Sequence, residues 1–328
     1  MSTRQQQCQM EEPASAAPKS QPVGVKPTPG RTLRFSIVVP FRNSKRFLDG
    51  CIRSLLRQTF PKDQYEILLV DNGSTDGSRE LAGRWQPAVR VLHEPRVGSY
   101  AARNLGLDHA SGEVIAFIDS DCEADPGWLA ALDQALGDPR IGVVLGHRQY
   151  PPAAPPLKWL EAFERHKAEW VFGLSEGVRY YGHTNNMAVR ASLFDEIGRF
   201  AEVQRGADTL WVQKAVRQLS PQTVCFAAAV LVRHMEMTSL ALYCRKKWLY
   251  GRSAHRYRAG ERFNRPFSRA DRMHIYRRTV AAERYGRLQA SALLFFLILG
   301  GLSYSIAARL PRLSELTVQP REQVARSP

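Results

Sequence analysis

The sequence predicts an α/β fold whose core is a mixed, mainly parallel sheet flanked by helices. Short β-branched runs alternate with amphipathic stretches from residue 34 onward, and that alternation is typical of parallel strands joined by right-handed helical crossovers. The runs are apolar at consecutive positions, as in strands that are buried on both faces. At 328 residues and 44% hydrophobic composition, the chain can form one large domain with an appended segment.

The first half of the chain predicts four strands, each followed by a helix. Pro40 stops the first β-branched run, and the helix after it carries apolar residues at near-helical spacing. Gly98 precedes the third helix, and Pro126 is expected in the first turn of the fourth, where its missing N–H leaves no bond unmade. The predicted strands cover 35–39, 66–70, 89–92 and 114–118, and the predicted helices cover 45–58, 99–110 and segments beginning near Ser78 and Pro126.

The second half changes its rhythm at four prolines between residues 151 and 156. Proline clusters interrupt regular structure, and an amphipathic helix is expected directly after this one. Further strands are predicted over 142–146, 184–190 and 223–230, and further helices over 157–171, 191–197 and 208–217.

The N-terminal segment, residues 1–33, is rich in Pro, Gln, Ser and Lys and has almost no large apolar residues. Such a composition cannot bury a core, so the segment is predicted to be a disordered tail without a secretory signal. The five cysteines of the chain are scattered and show no CxxC spacing. This pattern argues against a disulfide framework and a zinc site, and it fits a reducing compartment.

The formal net charge of +15 is concentrated toward the C-terminus, where residues 244–287 hold fourteen Lys and Arg against three acidic residues. The next 21 residues, 288–308, carry no charge and would reach about 30 Å as a helix, enough to cross a bilayer. A basic segment beside an apolar one is typical of the cytoplasmic flank of a membrane protein. We therefore predict a basic helical membrane-proximal segment over 236–287, a transmembrane helix over 288–308 and a short tail over 309–328.

Other interpretations of these two segments stay open. A basic block also occurs on nucleic-acid-binding proteins or as a solvated face, and an apolar helix of this length also occurs in protein cores. No recognised nucleic-acid motif accompanies the charge, so the membrane is favoured as the partner. Arginines are more frequent before the apolar segment than after it, which weakly orients the preceding domain toward the cytoplasm.

Two carboxylates, Asp119 and Asp121, stand one residue apart at the end of the predicted strand 114–118. Alternate side chains of an extended segment point the same way, so both carboxylates can converge on one point. The C-terminal edge of a parallel sheet is where open α/β folds bind ligands. Paired oxygen donors at such an edge suit Mg²⁺ or Mn²⁺ that also carries phosphate. A strand that ends in a polar turn is the simpler interpretation of the pair alone.

Four motifs in this order resemble the family 2 inverting glycosyltransferases with the GT-A fold, a Rossmann-like architecture. Their order and spacing match over roughly residues 34–235, and the combination is specific although each motif alone is weak. The motifs are Ser36–Asn43, Val70–Gly77, Gly98 with Ala102–Gly106, and Phe117–Asp121. No GxGxxG sequence and no Walker P-loop occurs in the chain, which argues against a dinucleotide enzyme and a P-loop NTPase.

The resemblance implies roles for individual residues of this chain. Asp71 would contact the base or ribose, Asp119 the ribose, and Asp121 the metal that bridges two phosphates. His234, after the strand 223–230, would return to the metal as a further ligand, although a single His is also often structural. The donor-binding set implied in this way is Pro40, Asp71, Arg103, Asn104, Asp119 and Asn186, with Asp121 and His234 as the metal ligands.

An inverting transfer needs a general base that takes the proton from the attacking hydroxyl. The family supplies it from an acidic pair at a helix start, and the matching stretch here is Gly206-Ala207-Asp208. Ala207 replaces the usual Glu, whereas Asp208 keeps the position of the base. An acidic residue in a first helical turn is also favoured by the helix dipole alone.

These observations predict a metal-dependent inverting glycosyltransferase, with Mn²⁺ or Mg²⁺, that transfers a single sugar from a UDP-, GDP- or dTDP-linked donor. The implied acceptor is lipid-linked or a cell-envelope glycan, and the implied place is a bacterial-type inner membrane with the catalytic domain in the cytoplasm. Two alternatives remain open: a membrane-bound nucleotide-sugar binding protein without catalysis, and a sugar nucleotidyltransferase. The latter normally carries a Gly-rich basic loop after the first strand, and residues 40–43 do not resemble one.

Overall fold

The computed structural model describes residues 33–151, 155–174, 176–177, 179–203, 205–253 and 267–310. The predicted disordered tail, the predicted C-terminal tail and part of the basic segment lie outside the described residues, apart from residues 33, 309 and 310 at their inner ends.

Four parallel strands form the first half of the sheet in the order β3-β2-β1-β4. In β1, β2 and β4 the side chains are mostly apolar and largely buried on both faces, which explains their continuous β-branched runs. The strands are β1 Leu33–Phe41, β2 Tyr65–Asp71, β3 Arg90–His93 and β4 Gly112–Ile118.

Helices cover both faces of this half. Helix α1 buries Leu48, Cys51, Ile52 and Leu55, a spacing that places all four on one stripe against the sheet. Helix α3 packs on the opposite face, where Tyr100 and Ala102 join side chains of β1 and β2. The three helices are α1 Lys45–Leu56, α2 Ser78–Gly83 and α3 Ser99–His109.

The second half extends the sheet as β4-β7-β6-β8-β5. Strands β6 and β8 are parallel to each other, whereas β7 and β5 are antiparallel to their neighbours. The predicted mixed, mainly parallel sheet is therefore confirmed. The elements are β5 Cys122–Ala124, α4 Trp128–Ala135, β6 Val143–Gln149, α5 Pro155–Phe172, β7 Asn186–Arg190, α6 Ser192–Ile197, α7 Ala207–Gln218 and β8 Val224–His234.

Three helices follow the sheet: α8 Leu240–Ser253, α9 Arg269–Ala282 and α10 Arg287–Arg309. They pack on α5 through a separate apolar cluster that includes Leu160, Tyr243, Ile275 and Leu293. Among the described residues, α10 is the one helix long and apolar enough to cross a membrane.

Local hydrogen bonds account for small differences from the predicted boundaries. The fourth helix begins at Trp128 rather than near Pro126, because the Asp125 side chain and backbone accept hydrogen bonds from the N–H groups of Gly127 and Trp128 and form a turn. Strand β5 was not predicted. It has only three residues directly after Asp121, too few for a period-2 pattern to be visible.

Gly106 marks the closest approach between α3 and β1. A Cβ placed on Gly106 would lie 2.4 Å from Cγ1 of Val38, and the β-branched Val38 cannot rotate away freely. We expect Gly106→Ala to lower the free energy of unfolding by about 1–3 kcal/mol through overpacking. Chemical denaturation followed by circular dichroism measures this change.

Gly83→Ala is the matched control, since no atom lies within 4 Å of the added methyl group at the end of α2. We expect it to be neutral or to stabilise the protein by up to about 1 kcal/mol. Equal stability of the two variants would contradict the packing of α3 on β1.

Candidate functional site

Three predicted carboxylates lie at one edge of the sheet. Asp71 ends β2, while Asp119 and Asp121 follow β4, and both strands are parallel to β1 between them. Their C-terminal ends therefore open on the same side, as predicted.

Asp71 is fully engaged by its surroundings. Its Oδ1 accepts a hydrogen bond from the Ser74 N–H at 3.0 Å, and its Oδ2 lies 3.1 Å from Nδ1 of His93 on β3. The next residue, Asn72, accepts a hydrogen bond from the Gly98 N–H and donates to the Arg96 carbonyl. These bonds tie the turn after β2 to the start of α3, so the two motifs face one crevice.

Arg103 projects from α3 to the same edge. Its guanidinium lies 2.5 Å from Oδ1 of Asp119 and also rests on the ring of Tyr100, 5.2 Å from the ring centroid. The Arg103 side chain is only 5% exposed, whereas that of Asp119 is 35% exposed. The ion pair thus fixes the orientation of the Asp119 side chain and leaves part of its carboxylate accessible to a ligand.

Asp121 and His234 meet across the last strand pair of the sheet. The antiparallel register of β5 and β8 places Cys122 opposite His234, and Nε2 of His234 lies 3.0 Å from Oδ2 of Asp121. Burial raises the pKa of Asp121, but the hydrogen bond and charge of His234 and the charge of Lys246 outweigh it and lower the pKa to about 2. Asp121 is therefore an anion at neutral pH.

The donor atoms around Asp121 fit a divalent cation in part. A carboxylate oxygen, an imidazole nitrogen and the Cys122 sulfur lie within 4.8 Å of one another, and the oxygen and nitrogen suit Mn²⁺. Burial raises the pKa of the Cys122 thiol, and sulfur is a softer donor than the oxygen ligands that Mn²⁺ and Mg²⁺ prefer. The ammonium group of Lys246 lies 2.9 Å from Nε2 of His234, so it must move before that nitrogen can bind a metal.

Asp208 lies in the first turn of α7, two residues after the N-cap residue Gly206. The N–H groups of Thr209 and Thr184 donate to its two carboxylate oxygens at 2.8 Å and 3.3 Å. Burial raises the pKa of Asp208 above its ordinary value, while hydrogen bonds from the Thr209 N–H and the Tyr100 hydroxyl act in the opposite direction. The arrangement yields a carboxylate with increased affinity for a proton.

Tyr100 and Arg103 connect the two ends of the site. The Tyr100 hydroxyl lies near enough to Asp208 to lower the pKa of that carboxyl, and it accepts a hydrogen bond from the Gly206 N–H at 3.2 Å. The Tyr100 ring carries the Arg103 guanidinium, and that guanidinium holds Asp119. The predicted residues Arg103, Asp119 and Asp208 are therefore brought together by one short chain of contacts.

Asn104 and Asn186 make hydrogen bonds within the protein. The Asn104 amide donates to the Phe200 carbonyl and accepts from the Phe200 N–H. Asn186 is fully buried, accepts a hydrogen bond from Nε1 of Trp128, and donates to two backbone carbonyls. These amides are used within the protein, and their contact with a donor stays a prediction.

Pro40 is buried within β1, with Val70 as its register partner. It sets the position of the strand end next to Asp71. Its contact with a donor stays a prediction.

A cavity of about 320 Å³ opens beside Asp119 and His234. Its walls come from the sheet edge, from the loops before β7 and α7, and from α8. The lining residues are Asp119, Asn185, Arg205, His234, Glu236, Leu242, Arg245, Lys246, Leu249 and Tyr250.

Several participants were not predicted from the sequence. Tyr100 was missed although it lies three residues before Arg103, on the same face of α3. Lys246 was missed because nothing near it in sequence indicates a return to the sheet edge. Three buried polar atoms near the site, Nε of Arg103, Nδ1 of His183 and Oδ1 of Asn185, have no hydrogen-bond partner within the described part of the chain.

The sequence profile of the family described as Glycosyl transferase family 2 matches residues 36–208. This segment is more than half of the chain, so the chain belongs to family 2 of the glycosyltransferases. The family that the four motifs indicate is thereby confirmed, and the sugar nucleotidyltransferase alternative is not supported.

Relatives with assigned names are also glycosyltransferases. Glycosyltransferase AglE of Haloferax volcanii is 31% identical over 194 residues, which are 56% of this chain and 62% of that protein. Glycosyltransferase GlyG of Streptococcus pneumoniae is 37% identical over 116 residues, which are 34% of this chain and 38% of that protein. The chain thus spans less than two thirds of the length of these relatives.

Solved structures share the fold. The mannosyltransferase PcManGT of Pyrobaculum calidifontis, in complex with GDP-Man and Mn²⁺, superposes with a TM-score of 0.57 at 22% identity and covers 88% of this chain and 89% of its own. Residues 1–349 of Staphylococcus aureus TarS, in complex with UDP-GlcNAc, give a TM-score of 0.50 at 17% identity, covering 84% and 90%. At these identities the likeness concerns the GT-A-type fold alone.

The hydrogen bonds of Asn186 lead to a stability prediction. Asn186→Ala removes the partner of the Trp128 indole N–H, of the buried Val230 carbonyl and of the partly buried His147 carbonyl. We expect the free energy of unfolding to fall by about 2–4 kcal/mol, because each orphaned buried group costs about 1–3 kcal/mol and part of that cost relaxes. Urea denaturation measures the change.

Asn185→Ala is the control next to it in sequence. The Oδ1 atom of Asn185 has no partner among the described residues, so we expect its loss to change stability by less than about 1 kcal/mol. Equal losses in the two variants would show that the assigned bonds of Asn186 are wrong.

Proposed function

We propose that this chain is a metal-dependent, inverting glycosyltransferase of the hexosyltransferase type. It transfers one sugar from a nucleotide-sugar donor, linked to UDP, GDP or dTDP, to a hydroxyl or phosphate of the acceptor. The acceptor is lipid-linked or a cell-envelope glycan, and the reaction takes place at the cytoplasmic face of a bacterial-type inner membrane.

The observation that carries the proposal is the position of Asp208. Its carboxylate has a raised pKa and is linked through Tyr100 and Arg103 to Asp119 at the sheet edge. A base with increased proton affinity is suited to take the proton from an acceptor group as that group attacks. Asp208 is the base in this mechanism.

Charge at the other end of the site supports departure of a diphosphate. Asp121 and His234 would hold the divalent cation, Mn²⁺ or Mg²⁺. When bound, that cation neutralises charge developing on the leaving diphosphate. Arg103 holds Asp119 in place, and the basic side chains of Arg205, Arg245 and Lys246 at the cavity wall add positive potential.

The electrons and protons of the transfer balance in one displacement. The acceptor oxygen forms a bond to the anomeric carbon while the bond from that carbon to the phosphate oxygen breaks. The acceptor proton goes to Asp208, and the electron pair leaves with the nucleoside diphosphate. Because attack and departure occur on opposite sides of the carbon, the configuration inverts and no covalent enzyme intermediate forms.

The comparisons agree with a nucleotide-sugar donor. PcManGT was solved with GDP-Man and Mn²⁺, and TarS with UDP-GlcNAc. The unpartnered buried atoms of Arg103, His183 and Asn185 also favour a polar ligand, since each costs free energy until a partner arrives.

Product release from a panel of nucleotide sugars tests the proposal. With Mn²⁺ or Mg²⁺ and a bacterial membrane extract as acceptor, wild type should release nucleoside diphosphate from one donor of the panel. Asp208→Asn should lower this rate by about 10²–10⁴-fold, the usual contribution of a general base. A chelator should abolish release, and calorimetry should show unchanged affinity of Asp208→Asn for the nucleoside diphosphate.

Asp195→Asn, an exposed acid on α6, is the control and should retain the wild-type rate. Full activity of Asp208→Asn would show that another group is the base. Metal-dependent donor binding without release by wild type would favour the binding-protein alternative, and release that resists the chelator would contradict the metal assignment.

The pH dependence of the rate should depend on Tyr100. Its hydroxyl stabilises the ionised form of Asp208 and so lowers the pKa of that carboxyl. Tyr100→Phe removes this effect and raises the pKa further. The acidic limb of log(kcat/KM) against pH should therefore move to higher pH by about 0.4–1 unit, the equivalent of a hydrogen bond worth about 0.5–1.5 kcal/mol.

Tyr65→Phe serves as the comparison, since its hydroxyl donates to the Leu55 carbonyl at the other end of β2. We expect it to lose stability without moving the limb. If the acidic limb does not move in Tyr100→Phe, Tyr100 does not influence the pKa of the base.

A further inference from the structure

Helix α10 is docked along most of its length on other helices of the chain. Near its start, the Tyr276 hydroxyl of α9 donates to the Ala290 carbonyl, and Leu293 is fully buried in the cluster with α5. Near its end, the Ser303 hydroxyl donates to the Cys244 carbonyl, and Arg252 donates to the Leu310 carbonyl.

The central contact between α8 and α10 is close. A Cβ on Gly300 would lie 2.8 Å from the ring of Tyr243, and a Cβ on Gly251 would lie 2.3 Å from the Tyr304 carbonyl oxygen. The two helices run side by side in the same direction, since successive residues of α8 meet successive residues of α10.

Charged groups lie level with the middle of α10. The stem of Lys247 lies against Gly300, and its ammonium group binds Glu164 of α5 at 2.8 Å. Glu164 also pairs with Lys167. If α10 crossed a bilayer in this arrangement, these charges and the flank of the sheet domain would enter the hydrocarbon, which is strongly unfavourable.

The other face of α10 is apolar and open. Only 17% of the most apolar 18-residue stretch of α10 is buried. The residues exposed on that face are Leu288, Phe295, Ile298, Leu299, Leu302 and Ile306. Their spacing keeps them on one broad side, as in helices that lie in a membrane interface.

Basic and aromatic side chains are exposed on α8, on α9 and at the start of α10. On α9 and at the start of α10, exposed arginines include Arg269, Arg272, Arg277, Arg278 and Arg287. Trp248 and Tyr250 of α8 are 37% and 43% exposed. Arginine complements anionic lipid headgroups, and Trp and Tyr favour the level of the headgroups.

We propose that α10 does not span the membrane but lies in the plane of its interface, with its open face inserted into one leaflet of an anionic membrane. This inference deepens the proposed function, on whose membrane location it rests. Helix α8 lines the site cavity with Leu242, Leu249 and Tyr250 and packs on α10. The lipid surface therefore lies about one helix diameter, roughly 10 Å, from the cavity, within reach of a lipid-borne acceptor.

Cysteine labelling from one side of the membrane tests the orientation. Gln289→Cys and Arg309→Cys place a thiol at either end of α10, both at exposed positions and neither among the apolar side chains of the inserted face. Each full-length variant is expressed in bacteria, and sealed vesicles with the cytoplasmic face outward are treated with a membrane-impermeant maleimide. Mass spectrometry of the peptide with the new cysteine measures labelling before and after detergent.

An in-plane helix has both ends on the outer face of these vesicles, so both variants should be labelled equally before and after detergent. A helix that spans hides one end, and labelling of one variant only after detergent would overturn the proposal. Absence of the protein from the vesicle fraction would overturn it as well. Sugar transfer is measured on the same vesicles, so failure of the proposed function is recorded separately.

Binding of the purified full chain to vesicles tests the inserted face. Replacing Phe295, Ile298 and Leu302 together by Ser should lower the partition coefficient onto phosphatidylcholine vesicles containing phosphatidylglycerol by at least about tenfold. Val97→Ser removes an apolar side chain that is 70% exposed outside α10 and should leave binding unchanged. Unchanged binding of the triple variant, or equal binding of wild type to vesicles of phosphatidylcholine alone, would contradict the proposed surface.

Discussion

The convergence of negative charge on one sheet edge is the constraint on which the rest of the site depends. Parallel strands bring their C-terminal ends together, so Asp71, Asp119 and Asp121 gather where β2 and β4 stop. Carboxylates this close together repel one another unless positively charged groups lie beside them. The protein places Arg103 against Asp119, and it places His234 with Lys246 against Asp121. Helices α3 and α8 are therefore held at the edge by charge as well as by packing.

The sequence was sufficient for the sheet and for its carboxylate edge, because both follow from local patterns. Buried parallel strands are recognisable in a sequence as continuous β-branched runs, and Asp119 and Asp121 follow such a run directly. Asn186 shows where local patterns end. Successive residues of a strand point to opposite faces, and sequence alone does not say whether Asn185 or Asn186 turns inward. In the structure Asn186 is buried, whereas Asn185 reaches the cavity.

The part of the site that comes from α8 depends on tertiary packing. Glu164 of α5 binds Lys167 on its own helix and Lys247 on α8. These cations hold the pKa of the Glu164 carboxyl well below its usual range, and the Glu164 charge raises that of Lys247. A buried ion pair contributes little net stability to the protein. Separating its two charges is costly, however, so the pair constrains the orientation of the helices that carry them. The pair of Glu164 and Lys247 fixes the rotation of α8 about its axis and so places Lys246 at the sheet edge. No pattern in the sequence predicts this placement.

The register between β5 and β8 links ligand binding to the integrity of the sheet. Cys122 faces His234 in this pair, and the Met235 N–H donates to the Asp121 carbonyl. Asp121 and His234, 113 positions apart in the chain, are neighbours only while the three-residue strand β5 stays paired. Any cation held between them must then favour the paired state by mass action. Strand β5 would therefore open less often when a cation is bound than when none is bound. The local order of this strand would then report whether the cation site is occupied.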